Sequence, residues 1–120
     1  MSPTAFENLE VERPELRAAL VRLRRWVEQN PQARFLDPRR LASEIHDVSS
    51  SDLSTTLTIL AQRGRLQRAY KVLAPTNGVL ADGSFTSPLD IPPRLKDSCE
   101  DWFLTKDGTL VVIFHEAKGE

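Results

Sequence analysis

The chain has 120 residues and a net charge of −1, with 40% hydrophobic and 28% charged residues, as in an ordinary soluble domain with a modest core. One cysteine cannot form an internal disulfide, no apolar run approaches the roughly 20 residues that span a bilayer, and the first residues lack the features of a secretory signal. We therefore expect a cytoplasmic protein without a membrane segment.

The first predicted helix starts at Pro14, after a lead-in over residues 1–13 that has no hydrophobic period and is expected to be flexible. The helix ends at Asn30-Pro31. Trp26 is placed at the flank of its apolar face, and Val21 points outward. The apolar residues recur at helical spacing and comprise Leu16, Ala19, Leu20, Leu23 and Val27.

A second helix is predicted in "LDPRRLASEIHDV", where Asp37 is suited to the N-cap and Pro38 to the first helical position. Its buried positions are expected to be Leu41, Ala42, Ile45 and Val48.

A third helix is predicted to start near Ser50, because Ser49 and Asp52 have the spacing of a capping box, and to stop at Gly64. Its buried face carries Leu53, Leu57 and Leu60. The opposite face, found by turning about 100° per residue, consists of Ser51, Thr55, Thr58 and Gln62, with Ile59 beside them.

The rest of the chain reads as two strands around a long irregular segment. "RLQRAYKVL" (65–73) and "TLVVIF" (109–114) are the predicted strands, and Asn77-Gly78 is the strongest turn signal between them. Residues 79–93 are expected to be irregular, "LKDSCEDWF" to supply one short helical turn, and residues 117–120 to form a tail.

The stretch "RRLASEIHDVSSSDLSTTLTILAQRGRL" resembles the helix-turn-helix core of winged-helix domains, including the step through Gly64 into a hairpin. The resemblance implies an α+β fold over residues 14–116, with a three-helix core and a small antiparallel hairpin. The segment between the hairpin strands, residues 74–108, would be an enlarged wing. Winged-helix domains serve both DNA binding and protein assembly, so the resemblance leaves both functions open.

No catalytic, metal-binding or cofactor motif stands out in the sequence. His46 and His115 are far apart in the chain, and the acidic neighbours of Cys99 would disfavour its thiolate. There is no HExxH, CxxC or glycine-rich phosphate loop. We expect a chain that is not an enzyme and takes no cofactor, metal or small-molecule ligand.

DNA binding is one hypothesis for the third helix. Ser51, Thr55, Thr58 and Gln62 would read bases, although Arg, Lys, Asn and Gln are the usual readers. Such a regulator could be dimeric. Phosphates would be held by cations at the start of the second helix and after the third, namely Arg39, Arg40, Arg63, Arg65, Arg68 and Lys71.

The acidic charge of the enlarged wing favours a protein partner instead. Residues 12–75 carry a net charge of +5, but residues 76–109 carry −3, which is unfavourable near a polyanion. The sequence thus predicts first a protein-interaction adaptor in a larger complex, whose contact surfaces are the third-helix face, including Ile59, and the wing. The apolar residues of the wing either extend the core or form an exposed patch; they are Phe85, Leu89, Ile91, Leu95, Trp102 and Phe103.

Overall fold

The computed structural model of the chain describes residues 13–117, so the expected lead-in and tail lie outside the described residues except for Arg13 and Ala117. Within this range the protein is α+β, with three helices and four strands. The helices are α1 (Arg17–Gln29), α2 (Pro38–Glu44) and α3 (Ser50–Gln62). The strands are β1 (Leu66–Leu73), β2 (Arg94–Lys96), β3 (Trp102–Leu104) and β4 (Thr109–Glu116).

The described residues form two compact units. The helical unit contains residues 13–67 and 114–117, and the second unit contains residues 68–113. β1 pairs with β4, and β2 pairs with β3. Short 3₁₀ turns occur at Pro14–Leu16, Pro88–Asp90 and Thr105–Asp107.

In the helical unit, α3 packs against both α1 and α2 through the leucine positions expected from the periodicity. Trp26, predicted at the flank of the apolar face of α1, is buried, and its indole Nε1 donates to Glu44 Oε1 at 3.3 Å. Leu36, in the loop after α1, pairs with Phe114 of β4 through two backbone hydrogen bonds of 2.6 and 2.9 Å. This bridge ties the loop between α1 and α2 to the last strand.

α2 is shorter than the sequence predicts. The Asp37 side chain caps its start by accepting from the Arg39 N–H, as expected. Its end comes at Glu44, because Ile45 has extended backbone angles (φ −109°, ψ 111°). Leu41 and Ile45 are buried as predicted, but Ala42 is only half-buried. Val48 lies beyond the helix and is also half-buried, so the expected buried stripe is wrong at these two positions.

Both ends of α3 are confirmed. Ser49 Oγ accepts from the Asp52 N–H at 3.1 Å, which satisfies one of the free donors of the first turn. At the other end, Gly64 adopts φ +74° and its N–H donates to Ala61 O, while the Arg65 N–H donates to Leu60 O. These two bonds form a Schellman motif, which requires a residue such as glycine in the left-handed region.

The second unit contains a hairpin where the sequence predicted a helical turn. Residues 94–104 form β2 and β3, which are antiparallel with Leu95 opposite Phe103. The predicted turn in "LKDSCEDWF" is therefore wrong. Asp97 is 5% exposed, and its Oδ1 accepts from the N–H groups of Cys99 and Asp101 at 2.8 and 2.9 Å, which closes the loop between the strands.

The irregular segment over residues 79–93 is tied to β1 by single bridges, Leu73 to Leu80 and Tyr70 to Phe85. Val72, Ala81 and Leu95 form the buried cluster of this unit, with Phe85, Ile91 and Phe103 packed against it. Among residues 13–117, no helix has the length and apolar character needed to cross a membrane.

Candidate interaction surfaces

The α3 face predicted from the sequence is a neutral hydroxyl and amide surface. Ser51, Thr55 and Gln62 are exposed, whereas Thr58 and Ile59 are half-buried. Thr58 Oγ1 donates to Ser54 O at 2.9 Å, so that hydroxyl is partly occupied within the helix. The face offers polar contacts, the edge of one aliphatic side chain and no cation.

The two arginines that open α2 are held by carboxylates of their own segment. Arg39 donates to Asp37 Oδ2 at 2.9 Å, and Asp37 is nearly buried. Arg40 donates to Glu44 Oε2 at 2.6 Å. Its guanidinium also lies over the ring of Trp26, 5.0 Å from the centroid. A phosphate would compete with these contacts for both side chains.

The cations after α3 also have interactions within the chain. Arg63, Arg65, Arg68 and Lys71 each make at least one. Lys71 Nζ donates to Gly83 O at 3.1 Å. Arg63 and Arg68 are exposed, and Arg65 and Lys71 are half-buried. Arg63 and Arg68 are therefore the more accessible of the four.

The apolar residues of the 74–108 segment divide between the two roles proposed for them. Phe85, Ile91, Leu95 and Phe103 pack in the core of the second unit. Leu89 is 94% exposed and Trp102 57% exposed. The segment therefore both extends a core and leaves large apolar side chains at the surface.

Trp102 lies on a solvent-exposed side of the β2–β3 hairpin together with two cations. Arg94 Cζ and Lys96 Nζ are 5.2 and 5.1 Å from the Trp102 ring centroid. Leu104 is opposite Arg94 and is 44% exposed. We call Arg94, Lys96, Trp102 and Leu104 the hairpin face. Sequence reasoning missed this surface, because the alternation of Arg94, Leu95 and Lys96 spans too few residues to indicate a strand.

The acidic residues of the 74–108 segment differ in exposure and in their hydrogen bonds within the chain. Asp97 is buried and used in the hairpin loop, and Asp90 Oδ2 accepts from Thr86 Oγ1 at 3.2 Å. Asp82, Glu100, Asp101 and Asp107 are exposed. The net charge predicted for this segment thus includes one carboxylate that closes a turn.

The side chains considered for catalysis differ in exposure. His46 and Cys99 are exposed, and His115 is half-buried with Nδ1 3.1 Å from Glu116 O. Within residues 13–117, no group of three or more His, Cys, Asp or Glu side chains is arranged to hold a metal ion.

A groove of about 600 Å³ runs along the start of α1, where Arg17, Arg25 and the exposed Val21 line it. Arg22 also lines it and donates to Asp47 Oδ1 at 2.9 Å. This hydrogen bond lowers the pKa of Asp47 below its ordinary value of 3.8.

Comparisons with protein-family models, curated proteins and solved structures give no match for this chain.

Proposed function

We propose that the protein is a non-enzymatic winged-helix binding module that acts as a protein-interaction adaptor in a larger complex. The α3 face is its main contact surface. Because a helix that enters a DNA groove reads bases best with Arg, Lys, Asn and Gln, a face of hydroxyls and one glutamine suits a protein better. The observation that carries the proposal is this neutral, solvent-exposed face around Thr55.

The contacts of Arg39 and Arg40 support the same function. A DNA-binding domain of this kind would use cations beside the reading helix to hold phosphates. Here both guanidiniums are already engaged with Asp37 and Glu44, so moving either to a phosphate would leave a carboxylate without its ion-pair partner.

A DNA-binding regulator is the second candidate. Exposed Arg63 is the C-cap residue of α3, and exposed Arg68 follows in β1. Cations in these parts of the chain are of the type that contacts the DNA backbone. In this alternative Ser51, Thr55, Thr58 and Gln62 contact bases, and the protein binds as a dimer.

The test uses the full chain with an affinity tag in its own cells and quantifies the proteins that copurify. Thr55→Arg places a bulky charge on the α3 face and should reduce recovery of the partner at least about tenfold, as expected for a central interface position. Gln29→Arg is the matched control, since it adds the same side chain at an exposed position of α1. Arg39→Gln with Arg40→Gln should retain the partner.

The competing function is measured in parallel by mobility shift of mixed genomic fragments at increasing salt. DNA binding predicts a steep fall in affinity, with a log–log slope of about one per phosphate contact, and a loss of binding in Arg63→Gln with Arg68→Gln. That result would support the function of a DNA-binding regulator over that of an adaptor. A protein that is recovered alone, and equally so in the Thr55→Arg variant, would refute the adaptor.

A further inference from the structure

The backbone of the β2–β3 hairpin directs the polar groups of alternate residues outward. The Asp97 N–H donates to Asp101 O, and the Thr105 N–H donates to Pro93 O. Because antiparallel pairs alternate between hydrogen-bonded and non-bonded, Leu95 and Phe103 form the bonded pair between them. The intervening residues, at 94, 96, 102 and 104, must point their N–H and C=O groups away from the hairpin.

The outer side of β2 agrees with this assignment. The carbonyl of Lys96 accepts from the Asp82 N–H at 3.1 Å, so it does point away from β3. On β3 the corresponding groups belong to Trp102 and Leu104. β3 has β2 as its strand partner, and within residues 13–117 no loop or turn backbone group bonds to Trp102 or to the Leu104 N–H. Leu104 is the N-cap residue of the 3₁₀ turn Thr105–Asp107, so its carbonyl accepts the first bond of that turn. The outer edge of β3 is therefore available for a further strand.

The side chains beside this edge define what it would bind. Trp102 and Leu104 supply exposed apolar area, and the cations of Arg94 and Lys96 lie over the indole. Within residues 13–117, neither cation forms an ion pair with a carboxylate. A carboxylate on an added strand, on the same side as Trp102, would meet two unpaired positive charges.

We propose that the outer edge of β3 binds an extended acidic segment of a partner protein as an added strand, with its carboxylates toward Arg94 and Lys96. This inference rests on the adaptor function and names the chemistry of a second contact. The backbone would supply affinity, and the hairpin face would select acidic over basic sequence. Glu100 at φ +66° and the 3₁₀ turn from Thr105 bound the edge, so the added strand is about three residues long.

A second copy of the chain and a nucleic acid fit the charges around the β3 edge less well than an acidic peptide does. Two copies of the chain joined with β3 antiparallel would bring two sets of Arg94 and Lys96 onto one sheet surface, where like charges repel. A nucleic acid would meet the exposed Glu100 and Asp101 of the hairpin loop, and residues 94–104 carry a net charge of −1. A peptide that alternates acidic and apolar side chains avoids both problems.

The experiment is a titration of the isotope-labelled full chain with a blocked hexapeptide of alternating glutamate and valine. The matched probe replaces each glutamate by lysine. Amide hydrogen exchange should slow at Trp102 and Leu104, whose N–H groups gain partners. It should change little at Phe103, whose N–H already bonds across the hairpin. The lysine peptide should bind at least about tenfold more weakly, a difference of 1.4 kcal/mol.

A proline at Leu104 tests the backbone contact without disrupting the hairpin. Leu104 has φ −77°, which proline adopts, and its N–H points outward, so Leu104→Pro removes the edge donor and shortens one exposed apolar side chain. Leu104→Val keeps that donor and is the control. Leu104→Pro should weaken the glutamate peptide about tenfold relative to Leu104→Val. Arg94→Gln with Lys96→Gln should remove the preference for glutamate over lysine.

Three results would overturn the inference. They are equal binding of the two peptides, no change at the Trp102 and Leu104 amides up to on the order of 1 mM peptide, and tighter binding of a single-stranded oligonucleotide on the same amides. Failure here is distinguishable from failure of the adaptor function. A cellular partner lost in Thr55→Arg but retained in Leu104→Pro would refute the β3 edge alone.

Discussion

The guanidinium of Arg40 contacts both the Trp26 ring and the carboxylate of Glu44, with Cζ 5.0 Å from the ring centroid and Nε donating to Glu44 Oε2 at 2.6 Å. The same carboxylate accepts from the Trp26 indole at 3.3 Å. Three side chains from α1 and α2 thus form one connected group, and a residue expected to hold phosphate stabilises the contact between two helices.

Arg40→Gln should lower the free energy of unfolding by about 0.5–1 kcal/mol, since an exposed ion pair and an exposed cation–π contact each contribute little. Arg34→Gln is the control at another exposed position and should stay within about 0.5 kcal/mol of the unmodified protein. Urea denaturation measures both. Equal stability of the two variants would show that the Trp26–Arg40–Glu44 contacts contribute nothing.

Asp97→Ala should destabilise the protein by about 1–3 kcal/mol, because the N–H groups of Cys99 and Asp101 lose their acceptor in a partly buried loop. Asp97→Asn keeps a side-chain carbonyl and should cost less. Unfolding by urea gives the stabilities, and amide hydrogen exchange at Cys99 and Asp101 gives the local effect. Faster exchange at these amides in Asp97→Asn than in Asp97→Ala would contradict this account of the loop.

Gly64 and Gly108 should respond to alanine for different reasons. A Cβ at Gly64 would have nothing within 4 Å, so Gly64→Ala costs about 1 kcal/mol through the φ of +74° alone, and Gly64→Asn should recover part of it. A Cβ at Gly108 would come within 2.6 Å of both Leu73 O and Val72 Cγ1. Gly108→Ala should therefore cost about 1–3 kcal/mol through overpacking.

The alanine variant of Val72 separates the side-chain clash from the backbone clash at residue 108. In the Gly108→Ala background, Val72→Ala removes the side-chain clash but leaves the backbone carbonyl of Leu73 in place. We expect partial relief at most. Thermal unfolding of the single and double variants gives the interaction energy, and full recovery would show that the carbonyl does not restrict residue 108.

Arg22→Gln should raise the pKa of Asp47 toward its ordinary value of 3.8, since the hydrogen bond from Arg22 is the main cause of the lowering. A carboxyl NMR titration measures the change. Because the folded pKa is the lower one, the pair stabilises the fold fully at pH values well above 3.8 and loses this effect as pH falls through the folded pKa. The stability difference between the unmodified protein and Arg22→Gln should shrink over that acidic range. An unchanged Asp47 pKa in the variant would contradict the assignment.

The ends of α3 are predictable from sequence because their causes are local. Ser49 reaches the Asp52 N–H within one turn, and Gly64 is the residue whose backbone tolerates φ +74° at no steric cost. The end of α2 is different. Ile45 leaves the helix, although no glycine or proline marks this position. The apolar periodicity of the sequence extends to Val48 and therefore predicts too long a helix.

The β2–β3 hairpin escapes sequence reasoning because each strand has three residues. Over so short a window, a period of two cannot be separated from a helical turn. The loop between the strands also has no glycine at its position of positive φ, where Glu100 adopts φ +66°.

The α3 face follows from helical spacing, whereas the hairpin face depends on register. A slip of one residue would bury Trp102 and expose Phe103. The register is set by the loop that Asp97 closes through the N–H groups of Cys99 and Asp101. No glycine in that loop marks its conformation in the sequence.

The backbone bridge between Leu36 and Phe114 bears on folding during synthesis. While the ribosome is still translating residues 68–113, Leu36 has no strand to pair with. The core of the helical unit remains incomplete during this time. Closing so long a loop costs chain entropy before the pairing repays it. The helical unit can therefore reach its final state only after Phe114 has left the exit tunnel, so a chain truncated before β4 should be a ready substrate for chaperones and proteases.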